Sequence, residues 1–251
     1  MSLWVAFRKE WMEQGRSYHL LVTCIVLIFF GLTSPVLAKF TPELIAAIPT
    51  PGVTIQMASP TVADAVGQYL KNVQQFGIVL ALLLTMGVVA REKERGTVAM
   101  MLVKPMRRST FLGGKFLGLA AIFACGLILA AIGGYYYTYL LFEPVDILHW
   151  LILNVLIFVY LLVVVAVTFF CSTLSKSQIA AGGLAIVSMV IPGQIATLLG
   201  WGKYLPGELI TWGARLMQGN TSASWIALGV SIGLIVVPLL AAWLVFLRQE
   251  L

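Results

Sequence analysis

Six apolar runs constrain this chain more than anything else in it, because each approaches the roughly 20 residues a helix needs to cross about 30 Å of hydrocarbon. They occupy residues 20–38, 73–90, 116–142, 147–172, 179–199 and 224–247. A backbone surrounded by lipid has no water to bond to, so spanning segments are helices or closed barrels. A barrel shows alternating segments of about ten residues, and these runs are continuous. The expected fold is an all-α integral membrane protein of six transmembrane helices, with residues 1–251 forming a single transmembrane domain. Composition agrees. Of the 251 residues 60% are hydrophobic and 10% charged, and mean hydropathy is +0.97, against about half apolar and a quarter charged in soluble domains.

The basic residues orient the spans. With the N-terminus in the cytoplasm, the cytoplasmic set is Arg8, Lys9, Arg16, Arg91, Lys93, Arg95, Lys104, Arg107, Arg108, Lys115, Lys176 and Arg248, and the outer set is Lys39, Lys71, Lys203 and Arg215. That bias of 12 to 4 follows the positive-inside rule and puts both termini inside, in a cytoplasmic membrane of bacterial type. Aromatic residues mark the outer level: Tyr135, Tyr136, Tyr137 and Tyr139 end the third span, Trp150 begins the fourth, and Trp201, Tyr204, Trp212 and Trp225 bracket the last outer connection. The formal charge of +6 gathers beside apolar runs rather than along a polar face, so lipid is the expected contact and nucleic acid is not.

Residues 1–17 predict an interfacial helix, with Trp4, Phe7 and Trp11 on one face and Lys9, Glu13 and Arg16 on the other. A leader cleaved after Ala38 is the competing reading, but the run is long for a leader core, which favours an uncleaved first span. Residues 39–71 carry Pro42, Pro49, Pro51 and Pro60, predicting an irregular first part, then a helix from Thr61 into the second span. Residues 200–223 are apolar and poor in charge, predicting short helices that are interfacial or re-entrant.

The stretch 91–115, REKERGTVAMMLVKPMRRSTFLGGK, is the most distinctive. Five consecutive charges lead to Gly96, which permits a sharp turn. Thr97 is a candidate N-cap for a short helix that Pro105 ends. Met100, Met101 and Leu102 form an adaptable apolar face, while Arg107, Arg108 and Lys115 are placed at the membrane surface. Two readings stand: a knob that docks a soluble partner, or a helix folded back on the chain with its basic residues on anionic lipid.

Charged run, Gly-Thr, short apolar stretch, Lys-Pro, paired basics and Gly-Lys between the second and third of six spans resemble the ABC type-2 exporter permease family, in particular short bacterial permeases with a separate ATPase chain. The resemblance implies a cytoplasmic coupling helix seated in an ATPase groove. Glu92 and Glu94 would be its charged approach, Gly96 and Thr97 its turn, Met100, Met101 and Leu102 its docking face and Pro105 its terminator. Where many relatives carry a glutamate two residues after Gly-Thr, this chain has Ala99. The resemblance also implies two ABC ATPase subunits and a second permease subunit, identical or related. ATP and Mg belong to the partner, with no cofactor or metal bound by this chain.

The remaining residues fit that division of labour. A Walker A motif ending at Gly114-Lys115 requires Gly at 109 and Ser or Thr at 116, but the chain has Ser109 and Phe116. Ion-coupled transporters place ionisable groups at membrane depth, and these spans hold essentially none. His19 and His149 lie at span edges, leaving a membrane hydrolase no base at depth. Asn154, Thr168, Ser188 and Gln194 are too scattered for a channel's polar rings. Cys24, Cys125 and Cys171 read as apolar fillers. Gly114/Gly118 and Gly229/Gly233 are close-packing GxxxG pairs, and Pro238 is expected to kink the sixth span. Gly182, Gly183, Pro192 and Gly193 mark the fifth as a kinked moving or interface span. The expected function is a permease subunit that couples ATP hydrolysis by another chain to substrate movement; the alternative is a non-transport scaffold or assembly factor.

Overall fold

The computed structural model describes residues 3–46, 59–94, 96 and 108–248. The short helix expected over Thr97–Lys104 lies outside them, together with Met100, Met101, Leu102, Pro105 and Arg107. Among the described residues every regular element is helical. In chain order these are α1 (Leu3–Arg16), α2 (His19–Ala46), α3 (Val62–Thr85), α4 (Ala90–Glu94), α5 (Arg108–Leu141), α6 (Ile147–Leu174), α7 (Gln178–Leu198), a 3-10 turn (Gly202–Tyr204), α8 (Gly207–Met217) and α9 (Trp225–Arg248). Six are long and apolar enough to span a membrane: α2, α3 with its continuation α4, α5, α6, α7 and α9.

Helix α6 is the axis of the bundle. It packs against α3, α5, α7, α8 and α9, while α2 lies along α5 and α3. The core is aromatic and aliphatic, with Tyr69, Phe123, Trp150, Leu153, Ile157, Leu161 and Phe169 all fully or almost fully buried. Dispersion and shape hold such a core, because lipid removes most of the hydrophobic drive between helices. Gly31 shows the closeness achieved: a Cβ there would meet the Ala130 carbonyl oxygen at 2.6 Å. Phe30 and Phe76 stack at 3.7 Å between ring centroids to join α2 to α3.

Polar side chains at depth are consumed by packing. The Tyr69 hydroxyl donates to Asn154 Oδ1 at 2.6 Å, Asn154 Nδ2 donates to the Trp150 carbonyl at 2.9 Å, and Asn72 Nδ2 donates to Ser34 Oγ at 2.9 Å. Each pairs within the helix bundle.

One expectation changes. Residues 39–46 continue α2 through Pro42 rather than forming an irregular connection. Membrane helices tolerate proline where hydroxyls take up nearby carbonyls: Thr41 donates to the Leu37 carbonyl and Ser34 to that of Phe30, each at 2.5 Å. Pro192 and Pro238 also lie inside helices that run on past them, so neither ends its span. The close packing expected at Gly114/Gly118 is present, and the helix it receives is α1: a Cβ at Gly114 would lie 2.9 Å from Ala6 Cβ, and one at Gly118 3.1 Å from Glu10 Cβ. The expected helix from Thr61 is present, its entry fixed where the Thr61 backbone N–H donates to Asp64 Oδ2 at 2.8 Å.

Candidate functional site

The charged stretch after the second span meets four other helices at one end of the bundle. Helix α3 stops at Thr85 and the chain resumes as α4 at Ala90. A break in a helix frees backbone groups that lipid cannot satisfy. Ser172, near the end of α6, answers for three of them. Its hydroxyl donates to the Met86 carbonyl at 2.9 Å and accepts from the Val89 and Ala90 N–H groups at 3.1 and 3.0 Å. The fourth span therefore holds the place where the second turns into the charged stretch.

Further contacts tie that stretch to the fifth and fourth spans. Arg91 donates to Gln178 Oε1 through Nε and Nη2, at 3.2 and 2.8 Å, at the start of α7. Gly87 lets Gln178 approach, since a Cβ there would touch its amide carbon at 3.0 Å. Lys93 donates to the Thr173 carbonyl of α6. Gly96 follows with φ of +66°, the left-handed turn that glycine adopts without strain. Glu94 ends α4 and is exposed.

On the far side of the 97–107 segment the chain re-enters at Arg108. Its Nη1 donates to the Phe246 and Leu247 carbonyls at 2.7 and 2.9 Å, a cation on the C-terminal carbonyls of the sixth span. Phe111 stacks on Phe246 at 5.8 Å to reinforce the same junction.

At the centre lies a buried ion cluster. Lys115, expected at the membrane surface, is only 4% exposed. Its ammonium sits 2.8 Å from Glu92 Oε1 and 3.5 Å from Glu10 Oε2, so one cation joins the third span, the charged stretch and α1. Glycines at 114 and 118 draw α1 close enough for this contact. The cluster borders a cleft of about 450 Å³ that is also lined by Glu13, Gln14, His19 and Arg91. Burial raises the Glu10 carboxyl above its ordinary range; Lys115 and Lys9 oppose the shift in part, while Glu13 and Glu92 add to it.

Helix α1 thus has three faces rather than the two its pattern suggests. Trp4 is 69% exposed on the aromatic face, and the face against the bundle is Ala6, Glu10 and Gln14, all buried. Glu10 and Ser172 were both missed by motif reading. Only the i, i+4 spacing of Ala6, Glu10 and Gln14, matched by Gly114 and Gly118, hinted at a docking stripe. In the fifth span Gly182 packs on Met86, whose Sδ would lie 2.9 Å from a Cβ there, while Gly183 and Gly193 face open space.

Six apolar spans, a charged stretch held between them and an amphipathic helix docked beside it define a multi-pass protein of the cell membrane. The chain belongs to the ABC-2 transporter family, whose sequence profile, described as ABC-2 family transporter protein, matches residues 4–251. It is also similar to the uncharacterized transmembrane protein YxlG of Bacillus subtilis (strain 168), with 26% identity over 253 residues, covering 97% of this chain and 96% of that protein.

Proposed function

We propose that the chain is the permease subunit of an ATP-driven ABC exporter, in which two separate ATPase subunits, carrying ATP and Mg, act on the segment 97–107 from the cytoplasm. One observation carries this reading: both flanks of that segment are fastened to other spans. Glu92 is fastened to the third span through Lys115, Arg91 to the fifth through Gln178, and Arg108 to the sixth through the Phe246 and Leu247 carbonyls. A displacement of the segment is therefore delivered to several spans at once. The described spans offer no buried acid at mid-depth to couple an ion gradient, which supports an external source of energy.

The family membership and the apolar Met100-Met101-Leu102 sequence favour an ATPase as the docked partner. A second permease chain, identical or related, would complete the path. The test is co-expression with the candidate ATPase followed by purification through the permease. A one-to-one complex with nucleotide hydrolysis is expected, and Met101→Asp should leave the permease in the membrane while reducing retained ATPase about tenfold or more, as for a charge placed in an apolar contact. Undiminished association and undiminished ATPase activity in that variant would overturn docking through this face.

A further inference from the structure

At the end of the bundle opposite Lys115, the connection between the fifth and sixth spans folds around a cleft of about 600 Å³. Helix α8 is clipped against α6 and α9 by Leu209, Trp212 and Leu216, which pack with Leu156 and Ala227. The adjacent face carries Glu208 and Arg215, two turns apart and both lining the cleft. Arg215 Nη2 donates to Glu208 Oε1 at 2.5 Å and to Ser224 Oγ at 3.1 Å, and Ser224 Oγ donates to the same carboxylate oxygen at 3.2 Å. This closes the connection onto the first turn of α9.

The pairing leaves the guanidinium partly unused. It has five N–H donors in a planar fork, and these contacts engage one nitrogen. Nε is buried with no hydrogen-bond partner among the described residues. The side chain as a whole is 34% exposed and lines the cleft, so its accessible part lies on the guanidinium beyond Nε. Lys203 lines the same cleft with its ammonium 5.0 Å above the Tyr204 ring, so two cations face one carboxylate. The remainder of the wall is Ser222, Ala223, Trp225 and Ile226. Trp225 is 70% exposed at the very start of the sixth span, the level at which indoles meet headgroups.

We propose that this cleft binds the phosphate of a phospholipid headgroup, received by Arg215 and Lys203, with the acyl chains leaving past Trp225 and Ile226. The excess positive charge selects an anion. The apolar rim at headgroup depth selects a phosphate that carries hydrocarbon over one that is free. The site lies away from the coupling end, and the inference does not depend on the chain being an exporter.

The test uses the full chain in nanodiscs of neutral lipid containing graded phosphatidylglycerol, released into neutral detergent, with retained phosphatidylglycerol counted by native mass spectrometry. One tightly held molecule per chain is expected. Lys203→Gln, a change at an exposed side chain outside the Glu208–Arg215–Ser224 contacts, should weaken retention about tenfold, the value of one charged hydrogen bond. Lys71→Gln, at an exposed lysine elsewhere on the same half of the molecule, should leave it unchanged. Millimolar inorganic phosphate should not displace the lipid. Displacement by phosphate, with thermal protection by phosphate alone, would keep the phosphate chemistry and overturn the lipid as its source. Equal retention by wild type, Lys203→Gln and Arg215→Gln, or equal loss in Lys71→Gln, would overturn the site.

Discussion

Lys115 shows how much one side chain does at the coupling end. Its ammonium is shared by Glu10 and Glu92 in a buried setting, where removing one partner strands the others. Lys115→Met is therefore expected to cost about 3 kcal/mol, typical of a broken buried pair, read as a lower unfolding midpoint and faster protease cleavage within α1. Glu10→Gln should cost less, because the amide still accepts a hydrogen bond. The Glu10 carboxyl also predicts a pH effect. Its folded value lies above the ordinary range, mainly through burial, so docked α1 favours the protonated form. That contribution is full below the ordinary carboxylate range and is lost as pH rises through the raised value. A spin label on Trp4→Cys should become more mobile over that rise, and Glu10→Gln should flatten the response; mobility independent of pH in both proteins would contradict it.

At the scale of elements, glycine marks where helices must touch. The tightest approach is Gly31 of α2 against α5, where a Cβ would meet the carbonyl oxygen and Cα of Ala130 at 2.6 and 2.8 Å. Backbone cannot yield as a flexible side chain does, so Gly31→Ala should separate the first and third spans and cost about 1–3 kcal/mol, the usual penalty of overpacking. Gly229→Ala is the matched control, since nothing lies within 4 Å of a Cβ there. Thermal unfolding in detergent should lower the midpoint for the first and leave the second unchanged. The pattern GxxxG was readable in the sequence at both Gly114/Gly118 and Gly229/Gly233, but the motif does not say what approaches. In one case it is the N-terminal helix α1, and in the other nothing among the described residues. Spans were legible because hydrocarbon thickness sets their length, and the Thr61 start because Val62, Ala65, Val66, Tyr69 and Leu70 recur at helical spacing after it. The helix through Pro42 was not legible, since proline reads as a breaker unless nearby hydroxyls are known to compensate. Ser172 was equally silent: a serine at a span end carries no sign that a broken helix 82 residues earlier needs it.

Across the whole molecule burial is uneven. The third and fourth spans are half enclosed, with 50% and 56% of their most apolar stretches buried, whereas the fifth and sixth reach only 17%. The outer two are exposed for different reasons if the chain works as one half of a permease pair. The fifth begins at Gln178, directly under the pull of Arg91, and presents Gly183 and Gly193 to open space. The sixth is fastened to Arg108 at its end and covered by the α8 connection at its start. A helix that is both linked to the charged stretch and bare along its length is the better candidate for the surface facing a second permease chain. Single cysteines decide between them in a background lacking Cys24, Cys125 and Cys171. Ile186→Cys and Val190→Cys lie on the bare side of the fifth span and Ile232→Cys and Val236→Cys on that of the sixth, all about half exposed. Oxidation in native membranes should give a covalent pair of identical chains from the fifth-span positions and none from the sixth. The reverse result would move the interface to the sixth span, and with it the path that the pair encloses.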